Sequence, residues 1–200
     1  MSARSIEKAR IMKALLISLL TLGSLHAIPE AIFNGKDLAG WKVEGGSYWA
    51  AKDGILIGQS DGKKENSILW TEKDYSDFTL EAGFRFNGHV DSGFFLRGPN
   101  DQIQIGISGS LKRDMTGSPY IASKGKYPKE AEGVAKLLKE GDWNTMKITA
   151  KGKVYTVELN GEKVLEFKSD TALKEGPIGL QVHPGLQMKI EFRDLKVESL

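Results

Sequence analysis

Arg97, Gln102 and Gln104 sit close together in the run DSGFFLRGPNDQIQIGISGS, Asp91 to Ser110, where a solvent-facing strand more commonly carries Lys, Glu or Thr. Gln181 and His183 alternate with apolar residues in PIGLQVH, as Glu81 and Arg85 do in FTLEAGFRF. Amides and guanidinium groups are planar and hold their hydrogen-bonding atoms in a fixed fork, a shape that suits a pair of vicinal hydroxyls. The set therefore points to a sugar-binding groove. An imidazole, which ordinarily titrates near about 6.5, adds a group able to take up a proton. For any one of these residues, membership of a plain solvated sheet face is the competing expectation.

The elements that would position them have the period of a strand. FTLEAGFRF puts Phe78, Leu80, Ala82, Phe84 and Phe86 on one side and Thr79, Glu81, Gly83 and Arg85 on the other. DQIQIGI buries Ile103, Ile105 and Ile107; PIGLQVH buries Ile178, Leu180 and Val182; MKIEF buries Met188, Ile190 and Phe192. Strict alternation then sends Arg97, Gln102, Gln104, Gln181, His183, Glu81 and Arg85 outward, to what is expected to be one shared surface. Asn160-Gly161 in LNGEKV is a strong hairpin signal, and AKGKV bends at Gly152. With 23 glycines among many short strands, the chain reads as all-β, a sandwich of two antiparallel sheets. Lys129 to Lys139 is the one helical stretch, weakened by Gly133. The long irregular region from Ser108 to Asp142 reads as a folded rim carrying one short helix.

At 200 residues, 40% hydrophobic and without cysteine, the chain suits one globular domain held by its core. Residues 1–27 read as a secretory signal peptide: Arg4, Lys8, Arg10 and Lys13 precede the apolar run ALLISLLTLG, and Ala27 marks a cleavage point. That run of about ten residues is shorter than the roughly 20 a membrane span needs, so the mature protein is expected to be exported, periplasmic or extracellular. The leader holds four of the 28 basic residues and one of the 26 acidic ones; the remainder carries 24 against 25, a net charge of about −1. The electrostatic footprint of nucleic-acid binding is missing.

Several chemistries fail on residue type or spacing. A retaining glycosidase needs two carboxylates about 5 Å apart, and the one close acidic alternation, Glu130 and Glu132, falls in the expected helix, where i and i+2 diverge. There is no G-x-S-x-G elbow, no phosphate loop and no thiol. Beyond the leader the histidines are His89 and His183, far apart in sequence, so no metal site is expected. No cofactor is expected either; calcium is the one cation for which KDG (52–54), SDGKKEN (60–66) and GPND (98–101) supply hard oxygen ligands, and such clusters are more often turns.

Eight segments in series, IFNGKDLAGWK (32–42), ILWTEKDYSDFTL (68–80), SGFFLRGP (92–99), TGSPY (116–120), GDWNTMKITAKG (141–152), LNGEKV (159–164), GPIGLQVH (176–183) and IEFRDLKV (190–197), resemble the 3-keto-disaccharide hydrolase domain family. The resemblance covers residues 28–200 as a single domain. It implies a concanavalin A-like β-jelly-roll and action on glycosides oxidised to a ketone at C3. It matches Arg97, Gln104, Tyr120, His183 and Arg193 to the family's motif positions, with Gln102 where many members carry glutamate and Asp91 where asparagine is common. A C3 ketone acidifies the C2 hydrogen, so one base and one oxyanion stabiliser suffice for elimination at C1, with water adding later. The expected roles are His183 as base with Glu81 as its substitute, and Arg97 as stabiliser. Gln102, Gln104, Gln181, Tyr120, Arg85 and Arg193 are expected to bind an oxidised glycoside or glycan. A non-catalytic carbohydrate-binding domain of the same fold is the alternative. Trp41, Trp49, Trp70 and Trp143 read as core, leaving Tyr120 and Tyr127 to stack on sugar.

Overall fold

The alternating run Phe78–Phe86 is one strand over its whole length, with all five of its expected inward residues buried. The computed structural model describes residues 28–200; the expected leader lies outside the described residues. In chain order the strands are β1 (Glu30–Ala31), β2 (Trp41–Gly45), β3 (Trp49–Lys52), β4 (Ile55–Gln59), β5 (Ser67–Tyr75), β6 (Phe78–Phe86), β7 (Asp91–Leu96), β8 (Asp101–Gly106), β9 (Pro119–Ile121), β10 (Asn144–Lys151), β11 (Val154–Leu159), β12 (Glu162–Lys168), β13 (Gly176–Val182) and β14 (Lys189–Ser199). They form two antiparallel sheets. The larger runs β12-β11-β10-β6-β14-β4-β3, with β1 also paired to β14; the smaller runs β2-β5-β13-β7-β8-β9.

The core lies between the sheets. The larger sheet contributes Leu80, Phe84, Ile148, Val157 and Phe192, and the smaller Leu69, Phe94, Ile103, Ile105, Ile178 and Leu180, all fully buried. Burying a residue of this size is worth about 1.5 to 3 kcal/mol, so period-2 burial on both sheets is the main source of stability. The Asn160-Gly161 hairpin joins β11 to β12, with Asn160 at φ 51° and Gly161 at φ 88°, as a tight turn of that kind requires. Gly152 closes the β10–β11 hairpin at φ 53°.

Two expectations change. Within Lys129–Lys139 the helix is confined to α1 (Val134–Leu137), because Gly133 adopts φ 75° at its start and Leu138 is already extended at its end, and the rim also holds a 3-10 turn at Ala122–Lys124. Ile107 is half-buried beyond the end of β8, where it forms an isolated bridge with Asp114. The region from Ser108 to Asp142 is a folded rim, as expected. It is tied down by the Arg113–Glu130 ion pair, by Ala131 N–H donating to Ser118 Oγ at 2.9 Å, and by Glu132 N–H donating to the Val164 carbonyl at 2.9 Å.

Candidate functional site

The outer face of the smaller sheet is set by register. Tyr120 on β9 lies opposite Gln102 on β8, and Gln102 opposite Phe95 on β7. In the next row Gln104 faces Gly93, and beyond it Asp91 faces Gly106. On the far side of β7, Gly179 of β13 pairs with Phe95, which places Gln181 beside Gly93. Gly93 decides what this row can do. A Cβ there would come within 2.4 Å of the Ile103 carbonyl oxygen and 2.8 Å of the Gln102 amide nitrogen. With no side chain in the way, Gln102 Nε2 reaches over β7 and donates to Gln181 Oε1 at 2.7 Å.

Asp91 organises the next part of the face. Its Oδ1 accepts from Gln104 Nε2 at 2.7 Å, and its Oδ2 accepts from the Gly109 N–H at 2.8 Å, which ties the rim to β7. Oδ2 also stands 3.9 Å from His183 Nε2. His183 Nδ1 is 2.9 Å from the Pro184 carbonyl. A carbonyl can only accept, so Nδ1 carries the hydrogen and the lone pair of the neutral ring lies at Nε2. The rim supplies Lys112 and the Tyr120–Tyr127 pair, ring centroids 5.0 Å apart and inclined at 53°. Burial pushes the Tyr127 phenol up to about 12, with the Asp91 and Tyr120 charges adding to it and a Ser108 hydrogen bond opposing. Together these residues enclose a groove of about 380 Å³, within the roughly 300–1,000 Å³ of small-molecule sites.

Of the sequence-expected residues, Gln102, Gln104, Gln181, Tyr120 and His183 share this groove. Arg97 does not reach it. Alternation along Phe94, Phe95 and Leu96 would turn Arg97 outward, but β7 ends at Leu96 and Arg97 adopts φ 60°, which breaks the period. Its fully buried guanidinium turns instead into the edge of the sandwich. There it donates to the carbonyls of Ser76, Gly152 (2.7 Å), Leu173 (2.9 Å) and Ala150 (2.8 Å) and to Asp77 Oδ1 (3.1 Å). All five of its N–H donors are used. An oxyanion role for Arg97 is thereby withdrawn.

Glu81, Arg85 and Arg193 belong to the other sheet. Glu81 is exposed on β6 between its register partners Lys147 and Lys196, so it is no substitute base. Arg85 donates from Nε to Glu191 Oε2 at 2.8 Å, and its guanidinium and that of Arg193 lie 4.7 Å and 4.1 Å from the Trp143 ring centroid. Trp143 is thus a half-exposed surface residue rather than core. Trp70 also leaves the main core: on the outer face of the smaller sheet it joins Ile68 and Phe95, with the Phe95 ring centroid 5.4 Å away. At 8% and 5% exposure Trp70 and Phe95 are not open platforms.

Three ionisable groove residues had no catalytic or substrate-binding role in the sequence reading, His89, Asp91 and Lys112, whereas Tyr127, expected to stack on sugar, lines the groove with Tyr120. The parity of β7 was the available signal for Asp91, since it shares the outward side with Gly93 and Phe95. Lys112 is the one Lys or Arg lining the groove, and its ammonium makes no ion pair or hydrogen bond among the described residues. His89 and His183 meet in one groove despite their distance in sequence. Among the described residues no three His, Asp or Glu side chains are grouped to hold a metal ion. In the candidate calcium segments Asp61 pairs with Lys63 at 2.8 Å, and Asp101 accepts from Asn100, Tyr155, Ser169 and Thr171.

Comparison with solved structures agrees with the architecture. A candidate glycosyl hydrolase from Parabacteroides distasonis ATCC 8503 is 25% identical, with a TM-score of 0.69 over 86% of this chain and 100% of that one. A carbohydrate-binding module from Bacillus subtilis is 19% identical, with a TM-score of 0.59 over 80% of this chain and 96% of that one. A Bacillus subtilis protein with a galectin-like fold is 18% identical, with a TM-score of 0.55 over 86% and 94%. The fold is the concanavalin A-like jelly-roll. No curated protein matches the chain. Over residues 29–198 the sequence matches the 3-keto-alpha-glucoside-1,2-lyase-like domain, and the chain belongs to that family.

Proposed function

We propose that this is an exported, carbohydrate-active domain that cleaves glycosides oxidised at C3 by elimination across C1–C2. The observation that carries the reading is the groove itself: His183, Asp91 and three glutamine amides converge on one face with hydrogen-bonding capacity to spare. Membership of a 1,2-lyase-like family accords with elimination as the first step.

In this mechanism His183 Nε2 takes the C2 proton, and the electron pair of that C–H bond moves to the C3 carbonyl as an enolate. Re-forming the ketone expels the C1 substituent, leaving a C1=C2 double bond. The departing oxygen takes up a proton, and water later added across the double bond gives net hydrolysis. The enolate oxygen needs a donor aimed at it. Lys112 is the groove's lysine, and Gln181, whose Oε1 accepts from Gln102, has no hydrogen-bond partner for its Nε2 among the described residues. Arg97 is replaced in this role by these two.

The test is to incubate the purified domain with a 3-keto-glucoside and follow release of the aglycone. His183→Ala is expected to lower the rate by about 100-fold or more. Unchanged turnover in that variant would rule out His183 as the base. A second reading, a non-catalytic carbohydrate-binding domain, is favoured by the amide at Gln102, which cannot transfer a proton as a carboxylate would, and by a groove lined by a single carboxylate. Calorimetric binding of an unoxidised glycan without turnover of any keto-glycoside would select it.

A further inference from the structure

Asp91 is the groove's one carboxylate, with a side chain 8% exposed. A carboxylate offers about four lone-pair sites, and protein donors use two of them, from Gln104 Nε2 at 2.7 Å and the Gly109 N–H at 2.8 Å. The space beyond Oδ2 is bounded by His183 Nε2 at 3.9 Å, which is itself an acceptor because the ring hydrogen is held on Nδ1 by the Pro184 carbonyl. Gln104, having committed its Nε2 to Asp91, keeps its carbonyl as a further acceptor. This end of the groove is therefore a cluster of acceptors, while the amide nitrogen of Gln181 and the Lys112 ammonium are donors lining the same groove.

Two acceptors separated by 3.9 Å are too far apart to share a hydrogen directly and have none to share. A ligand hydroxyl seated in that gap can donate its one hydrogen to Asp91 Oδ2, leaving the His183 Nε2 lone pair for the C2 proton, and a ring carbon without a hydroxyl leaves a buried carboxylate facing an empty contact. We propose that Asp91 is a specificity-determining residue. Through the Asp91–His183 gap it requires a free hydroxyl on the sugar ring, and so it orients the ring with a hydroxyl toward Asp91 and the ketone toward Gln181 and Lys112. The proposal rests on the carbohydrate reading above.

The probe is 1,5-anhydro-3-keto-glucitol, which keeps the ring and the ketone but has no group to lose at C1, with its 2-deoxy, 4-deoxy and 6-deoxy forms. Dissociation constants are measured by calorimetry for the wild type and for Asp91→Asn, with Asp91→Ser as the second variant if the first fails to fold. In the wild type one deoxy form is expected to bind about 10- to 100-fold more weakly than the parent. In the variant the parent weakens by a similar factor, and the same deoxy form binds within about threefold of it. If wild type and variant discriminate the deoxy series alike, Asp91 only braces Gln104 and the rim, and the proposal is overturned. Equal binding of every deoxy form by the wild type also overturns it. Failure of the parent compound to bind the wild type removes the carbohydrate reading itself, and the inference with it.

Discussion

Strand β7 carries a polar assembly at each end, and the two differ in what is left over. At its start Asp91, with Gln104, Gln102, Gln181 and His183, forms a network with unused donors and acceptors facing a groove. Just past its end, Arg97 directs five donors to four carbonyls and Asp77, so nothing remains for a ligand. Six residues of extended chain, at about 3.3 Å each, separate the two by roughly 20 Å. A polar group is a candidate for function when its hydrogen-bonding capacity exceeds what the protein satisfies. Arg97 fails that test and Asp91 passes it.

This contrast can be broken by mutation. Arg97→Ala should have the largest effect, destabilising the fold by about 3 to 5 kcal/mol in chemical denaturation, because buried carbonyls and Asp77 lose their partner. The fraction that still folds should keep its ligand affinity; loss of affinity in folded protein would return Arg97 to the site. His183→Ala should do the reverse, with turnover down about 100-fold and stability within about 0.5 kcal/mol of the parent.

Alkaline stability provides a finer test on the rim. The Tyr127 phenol is pushed up to about 12 by burial, whereas in the unfolded chain it ionises near about 10. Its neutral form is therefore favoured by folding: the contribution is fully present below about pH 10 and is lost as pH rises toward 12. Tyr127→Phe should flatten the fall in unfolding free energy across that window by at most about 2 kcal/mol, and an unchanged slope would place the phenol in solvent. The smallest effect is expected at Arg193→Ala. That residue stacks on Trp143 on the outer face of the other sheet, and its loss should leave turnover unchanged and cost under about 1 kcal/mol. A large loss of turnover would mean that the two outer faces communicate.

Much of the architecture was legible because burial repeats every second residue. Phe78 to Phe86, Ile103 and Ile105, and Ile178 to Val182 all face the core as their alternation requires. The Asn160-Gly161 hairpin follows from the positive φ that those residue types tolerate. Within the site, Gln102, Gln104 and Gln181 were legible for the same reason. Glu81, Arg85 and Arg193 were misplaced although their parity was right, since they do point outward, but from the wrong sheet. Trp143 was misjudged because an indole packs as well beneath arginines on an outer face as it does in a core, whereas Trp70 is buried as expected, in a small cluster apart from the main core.

The amino-acid sequence by itself determined the strands, the inward and outward sides of each, and the family to which the chain belongs. The tertiary structure alone decided which outward sides share a surface, because a period of two distinguishes inside from outside within a strand and says nothing about which of two sheets the strand joins. It also decided the fate of Arg97, where one left-handed residue ends the period and turns an apparent ligand-binding arginine into a brace for the carbonyls around it. Asp91 and His183 lie far apart along the chain and meet only because β13 pairs beside β7, leaving their side chains 3.9 Å apart in the same groove.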